Sequence, residues 1–394
     1  MAIEERVFIA GAGPVGLVAA ANLVRHGVPV TVFEAETALA EESRASTFHP
    51  PTLDMLEEFG AAAPLLAQGL VAPQFQYRMR EGVIATFDFA AIADATRHPF
   101  RVQSEQFKLT RILLERLGKM PDFRIEFGSR VTGVAQDDAA VHLTLDRNGS
   151  GERRSGRWLI GADGGRSDVR RALGVEFAGF TWPERFLVVS TPFDFRGVIA
   201  DLVSVSYRAD PVRWHFLLEI PGLWRVMFPL AEAVSDEAAS SRAFAQALMA
   251  GVVPGIANYD IAHTTLYKVH QRVAKNFRIG RTFLAGDAAH LNNPLGGMGM
   301  NGGIHDAMNL TARLAAVWNG AAPEPELDRY ERQRRSVTLE YIETQSIANK
   351  RNLECANPDF AAELKRTAAD PQRTRDYLMR VAMIASLRRA AALG

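Results

Sequence analysis

The sequence predicts an α/β protein with a Rossmann-like nucleotide-binding domain, an inserted and largely antiparallel β-sheet domain, and a C-terminal helical region. Three observations lead there. An apolar strand-like run at 7–10 breaks into Gly11-Ala12-Gly13-Pro14-Val15-Gly16 and continues as a helix. Two further buried-strand patterns, at 158–161 and 281–285, each run into a glycine turn that carries an aspartate. Between them, from 176 to about 229, short β-type runs punctuated by Pro and Gly replace helical periodicity.

Gly11, Gly13 and Gly16 have the G-x-G-x-x-G spacing. The first glycine allows a tight turn, the second lets backbone approach a pyrophosphate, and the third lets the helix pack on its strand. Pro14 suits the first helical turn, where its missing N–H costs nothing, and Gly27 suits the helix end. The helix start offers unpaired N–H groups and a positive dipole end to phosphates. The next strand pattern, 29–33, ends at Glu34. That acid lies about 20 residues on, where a carboxylate meets a ribose hydroxyl. A glycine turn alone is common to many folds. Strand, turn, helix and acid in this order point to a dinucleotide.

A chain of 394 residues suggests two or three domains sharing cores. With 47% hydrophobic and 23% charged residues, its composition is that of a soluble globular protein. The formal net charge is +0, so no broad basic field argues for nucleic acid or anionic lipid as partner. One cysteine, Cys355, excludes an internal disulfide and a cysteine-based zinc cluster, and fits a cytoplasmic location. The first apolar run follows Glu4 and Glu5 and is interrupted by Gly and Pro, so it reads as strand and helix and not as a signal peptide. No uninterrupted apolar run is long enough to span a bilayer.

Beyond Glu34, the loop 40–47 carries Arg44, which is either a phosphate partner or a solvated loop residue. A helix is expected at 51–60, with Leu53, Leu56 and Phe59 inward, and alternating strands at 74–89. A further helix at 104–117 has Ser104 as its cap, and Gln106 lies in its first turn. A strand at 123–127 precedes a hairpin at 130–145 around Asp137-Asp138. Of the aromatic residues in the sheet domain, Trp182, Trp214 and Trp224 are mostly core, though one sheet face is suited to wall a cavity. An Ala-rich helix is expected at 236–250, from Ser235 to Gly251. After the strand 281–285 come Gly286-Asp287-Ala288-Ala289-His290 and a loop at 294–303 with Gly296, Gly297, Gly299 and Gly302. Such bare main chain is what a flat ring pressed against N–H groups needs; a merely flexible loop is the alternative. A helix at 304–318 follows. The Arg- and Ala-rich segment from 327 is expected to be a helical cap with a solvated positive face.

Taken in order, three motifs resemble those of the class A flavoprotein monooxygenases, the para-hydroxybenzoate hydroxylase type. They are Gly11-x-Gly13-x-x-Gly16 with Glu34, the run from Gly161-Ala162-Asp163-Gly164 to Arg170, and Gly286-Asp287-Ala288-Ala289-His290 with Pro294. The resemblance extends from about residue 7 to about residue 314. It implies that Gly11, Gly13, Pro14, Val15, Gly16 and Glu34 serve the ADP half of non-covalent FAD. It implies that Asp163 serves both FAD and the nicotinamide nucleotide, and that Gly286 and Asp287 hold the ribityl chain. Arg44 and Gln106 would be further FAD contacts, and Val131 a backbone contact to adenine. The segment with Gly297, Gly299, Met300 and Asn301, at a helix N-terminus, suits negative charge at the flavin N1 and C2 carbonyl. The carbonyl of Pro294 would face substrate and flavin.

The implied chemistry is hydroxylation of a small phenolic or heteroaromatic acid. NADH or NADPH reduces FAD, and O₂ then gives a C4a-hydroperoxide that transfers one oxygen atom to the ring. The cofactor supplies the chemistry and the protein the orientation. The nicotinamide nucleotide is expected over a surface groove, because no second dinucleotide fold is present. The expected division is a discontinuous FAD-binding domain (1–73, 98–175, 275–325), a substrate-binding sheet domain (74–97, 176–274) and a helical region (326–394); a homodimer is compatible with it. Tyr207 and His215, with Tyr77, lie in the substrate strands as acid–base candidates, although such residues are more often packed. Arg78, Arg208, Arg213 and Arg225 are candidates for a carboxylate, or strand-surface charges. His290 and His305 have no ligand partners at useful spacing, so no metal site is expected. Two alternatives share the flavin fold: a halogenase, disfavoured because the first lysine of the chain is Lys108, and a reductase that inserts no oxygen.

Overall fold

The computed structural model describes residues 2–41, 45–147, 149–354 and 359–394. Arg44 and Cys355 lie outside them. Strand Glu4–Ala10 is the axis of the first sheet. It runs parallel to Val30–Phe33 on one side and to Ser150–Gly161 on the other, with Phe123–Glu126 and Thr282–Leu284 extending the parallel set. Such strands are covered on both faces, which is why Val7, Phe8 and Ile9 are consecutively apolar and wholly buried. The hairpin Arg130–Gln136 and Val141–Arg147 forms as expected and joins this sheet along Ser150–Gly161. Helix Pro14–Arg25 packs against Gln106–Leu117 and Met298–Trp318.

The second sheet runs His290–Leu291, His263–Ala274, Phe177–Thr191, Leu223–Leu230, His215–Ile220, Val205–Arg208, Gln74–Met79, Gly82–Asp88. Its pairings are antiparallel except Val205–Arg208 with Gln74–Met79. Strand alternation gives it two apolar faces. Phe186, Val188, Val205, Tyr207, Leu218 and Met227 form one, closed by Leu295 and by Phe360, Leu364 and Leu378 of the C-terminal helices. Leu187, Val189, Leu217, Val226 and Phe228 form the other, closed by Ala239, Ala245 and Met249. A small third sheet, Thr47–Phe48, Arg101–Gln103 and Leu70–Ala72, is additional to the expected elements.

Four local expectations need correction. The helix expected from Ser104 begins at Gln106 with no side-chain cap, and the Ser104 hydroxyl is buried without a partner. The helix expected over 236–250 is two helices, Asp236–Ala239 and Arg242–Met249, because Ser235 and Ser241 each cap a separate start. The strand 281–285 is the second arm of a tight hairpin turning at Gly280. The long helix begins at Met298, not Ile304, so Met300, Asn301, Gly302 and Gly303 are helical. Its glycines serve close packing: a Cβ on Gly303 would lie 2.9 Å from the Cα of Gly286. Gly303→Ala is therefore expected to lower stability by about 1–3 kcal/mol, read as a fall in thermal midpoint, because the branched Val15 side chain at 2.6 Å and the Gly286 backbone must both yield.

Candidate active site

The three motifs meet through their backbones. Gly11 has φ +99°, and a Cβ there would lie 2.5 Å from the Ala162 oxygen and 3.1 Å from the Asp163 Cα. Only glycine tolerates both the conformation and the approach. Ala162 N donates to Ala10 O, and Ala285 N to Gly161 O. The Arg170 guanidinium donates to Ala288 O and Gly165 O, both at 2.8 Å, joining the central motif to the third. Val15 packs on Gly286: its methyl would be 2.8 Å from a Cβ there. Val15, Pro14 and Gly16 open the helix Pro14–Arg25.

This junction fits a dinucleotide. A Cβ on Gly13 would meet nothing within 4 Å, so the backbone before the helix faces open space. At the end of its strand, Glu34 accepts from Ala12 N at 2.6 Å, which puts its carboxylate beside the glycine turn. Asp163 accepts from Val169 N through Oδ2, while buried Oδ1 has no partner. Burial raises its pKa, against hydrogen bonds from Ser167 and Val169 that lower it. Asp287 is exposed between buried Gly286 and Ala288, so its side chain turns outward from the core. Val131 is buried in the hairpin opposite Leu145, where the register shifts. Gln106 turns back on the chain, its Oε1 3.4 Å from Ala45 N.

Under the third motif lies a buried charge cluster. Asp306 accepts from Gly286 N at 3.1 Å, meets His290 Nε2 at 2.7 Å and pairs with Arg334 Nε at 2.7 Å. Burial raises the Asp306 pKa, but His290 and Arg334 outweigh it and hold the carboxyl below its ordinary value. The solvated positive face expected of the C-terminal segment is thus incorrect at Arg334, which is 1% exposed.

Near the start of Met298–Trp318, Asn301 forms a clasp. Its Oδ1 accepts from His49 N, and its Nδ2 donates to Thr47 O and Gly297 O. Both amide donors are engaged, so the side chain fixes the helix start against strand Thr47–Phe48. Gly299 and Met300 lie in the first turn, whose N–H groups lack helical partners. Gly297 N donates to Pro294 O at 3.0 Å. His49 Nε2 lies 2.8 Å from Gly296 O, which can only accept; the proton is therefore on Nε2, and Nδ1 is a buried acceptor without a partner. Burial and then Arg101 push the His49 pKa well below its ordinary value, so the ring is neutral at pH 7.

The acid–base candidates separate. Tyr207 stacks on Tyr77, centroids 5.2 Å apart, on the face toward Leu295. Tyr377 donates to the Tyr77 hydroxyl at 3.3 Å. His215 is on the opposite face, against Phe228, lining a cavity of about 230 Å³ with Arg78 and Arg208. The expectation that His215 serves the site beside Tyr207 is therefore incorrect; the register of its strand turns it away. Arg78 and Arg208 leave with it. Arg225 faces the nucleotide side, donating to Ser46 Oγ at 2.8 Å. Sequence reasoning missed His49, Arg101, Gln103 and Asp306. The one available signal was the polar-apolar-polar run Arg101-Val102-Gln103, which is buried throughout.

A nucleotide junction of this form is that of a flavoprotein. A model of the FAD binding domain family matches residues 4–345. Para-nitrophenol 4-monooxygenase of Pseudomonas sp. (strain WBC-3) is 35% identical over 351 residues, 88% of this chain and 86% of that protein. The 6-hydroxy-3-succinoylpyridine 3-monooxygenase of Pseudomonas putida (strain DSM 28022 / S16) is 33% identical, over 96% of this chain and 98% of that one. The crystal structure of p-nitrophenol 4-monooxygenase from Pseudomonas putida DLL-E4 superposes with a TM-score of 0.91 at 31% identity, covering 99% of both chains. The chain belongs to the FAD-binding family of aromatic monooxygenases. Among the described residues no helix is long and apolar enough to cross a membrane.

Burial lowers the His215 pKa from 6.5 to about 4. Between those values the unfolded chain binds more protons than the folded one. The contribution of His215 is therefore whole above pH 6.5 and is lost as pH falls toward 4, amounting to about 3 kcal/mol. Urea midpoints measured across that window should fall in the wild type and fall less steeply in His215→Gln.

Proposed function

We propose that the enzyme hydroxylates a small phenolic ring held between the turn at 294–297 and the sheet face bearing Tyr77 and Tyr207. The observation that carries this reading is the placing of Leu295 in one apolar cluster with Tyr77, Tyr207 and Phe75, immediately before the glycine turn. Gly11, Gly13, Pro14, Val15 and Gly16 would receive the pyrophosphate, Glu34 the ribose and Asp287 the ribityl hydroxyls. The first turn of Met298–Trp318 would meet the electron-rich pyrimidine end of the flavin through Gly299 and Met300 N–H groups. When bound, FAD accepts a hydride from NADH or NADPH and activates O₂. The chain's own task is to orient the ring and exclude water. Burial first, then Tyr377 and Tyr207, raise the Tyr77 pKa well above its ordinary value, so its hydroxyl keeps its proton while accepting from Tyr377. The division into FAD-binding and substrate segments at 74, 98, 176 and 275 is part of this proposal; strand His290–Leu291 crosses it by pairing with His263–Ala274.

Purified protein should be yellow, and NADH or NADPH oxidation should rise sharply with a suitable phenol, with a product one oxygen atom heavier. Oxidation indifferent to every aromatic ring, or a product without added oxygen, would defeat the reading. Asp287→Ala should weaken FAD binding by about 10- to 100-fold, the worth of lost hydrogen bonds to a charged group, measured by equilibrium dialysis. Retention of FAD at wild-type affinity would remove Asp287 from the site.

A further inference from the structure

We propose that Arg101 selects the substrate by binding a negatively charged oxygen substituent on the aromatic ring. The inference rests on the hydroxylase reading above and deepens it. Arg101 is 2% exposed, and its Nε has no hydrogen-bond partner. Among the described residues no carboxylate pairs with it. An isolated buried charge is costly unless something compensates it. Two aromatic faces compensate in part: the guanidinium carbon lies 4.8 Å from the centroid of Phe75 and 5.2 Å from that of Phe89. These contacts are made without any hydrogen bond from the guanidinium Nε. They leave the Nε–H donor for an anion.

The position of Arg101 gives the anion its place. In strand Arg101–Gln103, Val102 is buried in the nucleotide-domain core with Phe48. Arg101 and Gln103, two residues apart, share the opposite face. On that face Thr47 Oγ1 donates to Gln103 Oε1 at 2.7 Å. The Thr47 side chain also abuts the glycine turn, since a Cβ on Gly297 would lie 3.0 Å from it. On the other side, Phe75 packs edge-on against Tyr77 and Tyr207 and meets Tyr377. Arg101 thus stands between the flavin-side turn and the tyrosine wall. Its field helps hold His49 neutral and acts to lower Tyr77 and Tyr377 against their burial. Arg225, the other buried guanidinium on this side, already donates to Ser46 and Tyr267. A planar fork suits a nitro or carboxylate group bidentately and a phenolate through one oxygen.

The test titrates FAD-loaded enzyme with 4-nitrophenol, 4-hydroxybenzoate and uncharged 4-methylphenol, reading flavin absorbance for binding and NAD(P)H oxidation for turnover. Wild type should prefer at least one anionic ring over 4-methylphenol. Arg101→Met should weaken that anionic ring by about 30- to 100-fold, as for a lost charge-assisted pair, and leave 4-methylphenol and FAD binding nearly unchanged. If Arg101→Met does not hold FAD, Arg101→Lys carries the test. It keeps the charge and loses the fork, and should weaken the anionic ring alone by about 3- to 10-fold. Equal weakening of all rings, loss of FAD in both variants, or no effect would overturn the proposal and make Arg101 a structural cation or a cofactor contact. A wild type indifferent to ring charge would overturn it while leaving the hydroxylase reading intact. Failure of every ring to stimulate oxidation would instead bring down that reading, and this proposal with it.

Discussion

The Asp306 carboxylate is the constraint on which the nucleotide region depends. It is wholly buried and joins four elements: the turn at Gly286, the edge strand at His290, its own helix Met298–Trp318 and Arg334 of helix Asp328–Val337. A carboxylate taken out of water is tolerable only when opposite charge and hydrogen bonds surround it. Here those bonds come from chain segments far apart in sequence. The turn that presents Asp287 is therefore fixed by the C-terminal helices as much as by its own strand. Loss of Arg334 would leave the buried carboxylate with only His290 and the Gly286 N–H to balance it.

Close backbone approach is the second requirement. The nucleotide junction brings Gly11 onto Ala162 and Asp163, and Gly303 onto Gly286. Side chains then lock the remaining freedom. Asn301 ties the helix start to Thr47 and His49, and Arg170 ties the central motif to Ala288. The result is a rigid polar cradle whose open positions are backbone N–H groups, suited to a phosphate and to an electron-rich ring edge.

The substrate side is built differently. Its wall is aromatic, from Phe75, Tyr77, Tyr207 and Tyr377, and it is closed by helices from the end of the chain. An aromatic wall of this kind suits a flat ring and gives it little orientation. Orientation must come from the few polar groups that remain, among them Tyr77 and Arg101, both in contact with Phe75.

The glycine spacing, Glu34 after the second strand and the aspartate turns were legible in the sequence because each is a short-range requirement. A turn needs its glycine and a helix needs its start wherever the rest of the chain goes. The nucleotide half and the presence of a second sheet followed from such signals. What lies across the site did not. Tyr207 and His215 look equivalent along the chain, yet strand register sends them to opposite faces. Gln106 occupies an expected position, while Gln103 meets Thr47, and Arg101 meets Ala72, only through strand pairing. Arg334 reads as a solvated charge until Asp306, 28 residues earlier, is folded against it. Local spacing determined which backbone could bind a nucleotide. Tertiary packing alone decided which side chains are desolvated together, because a one-residue change of register or one helix contact reverses what a charge faces.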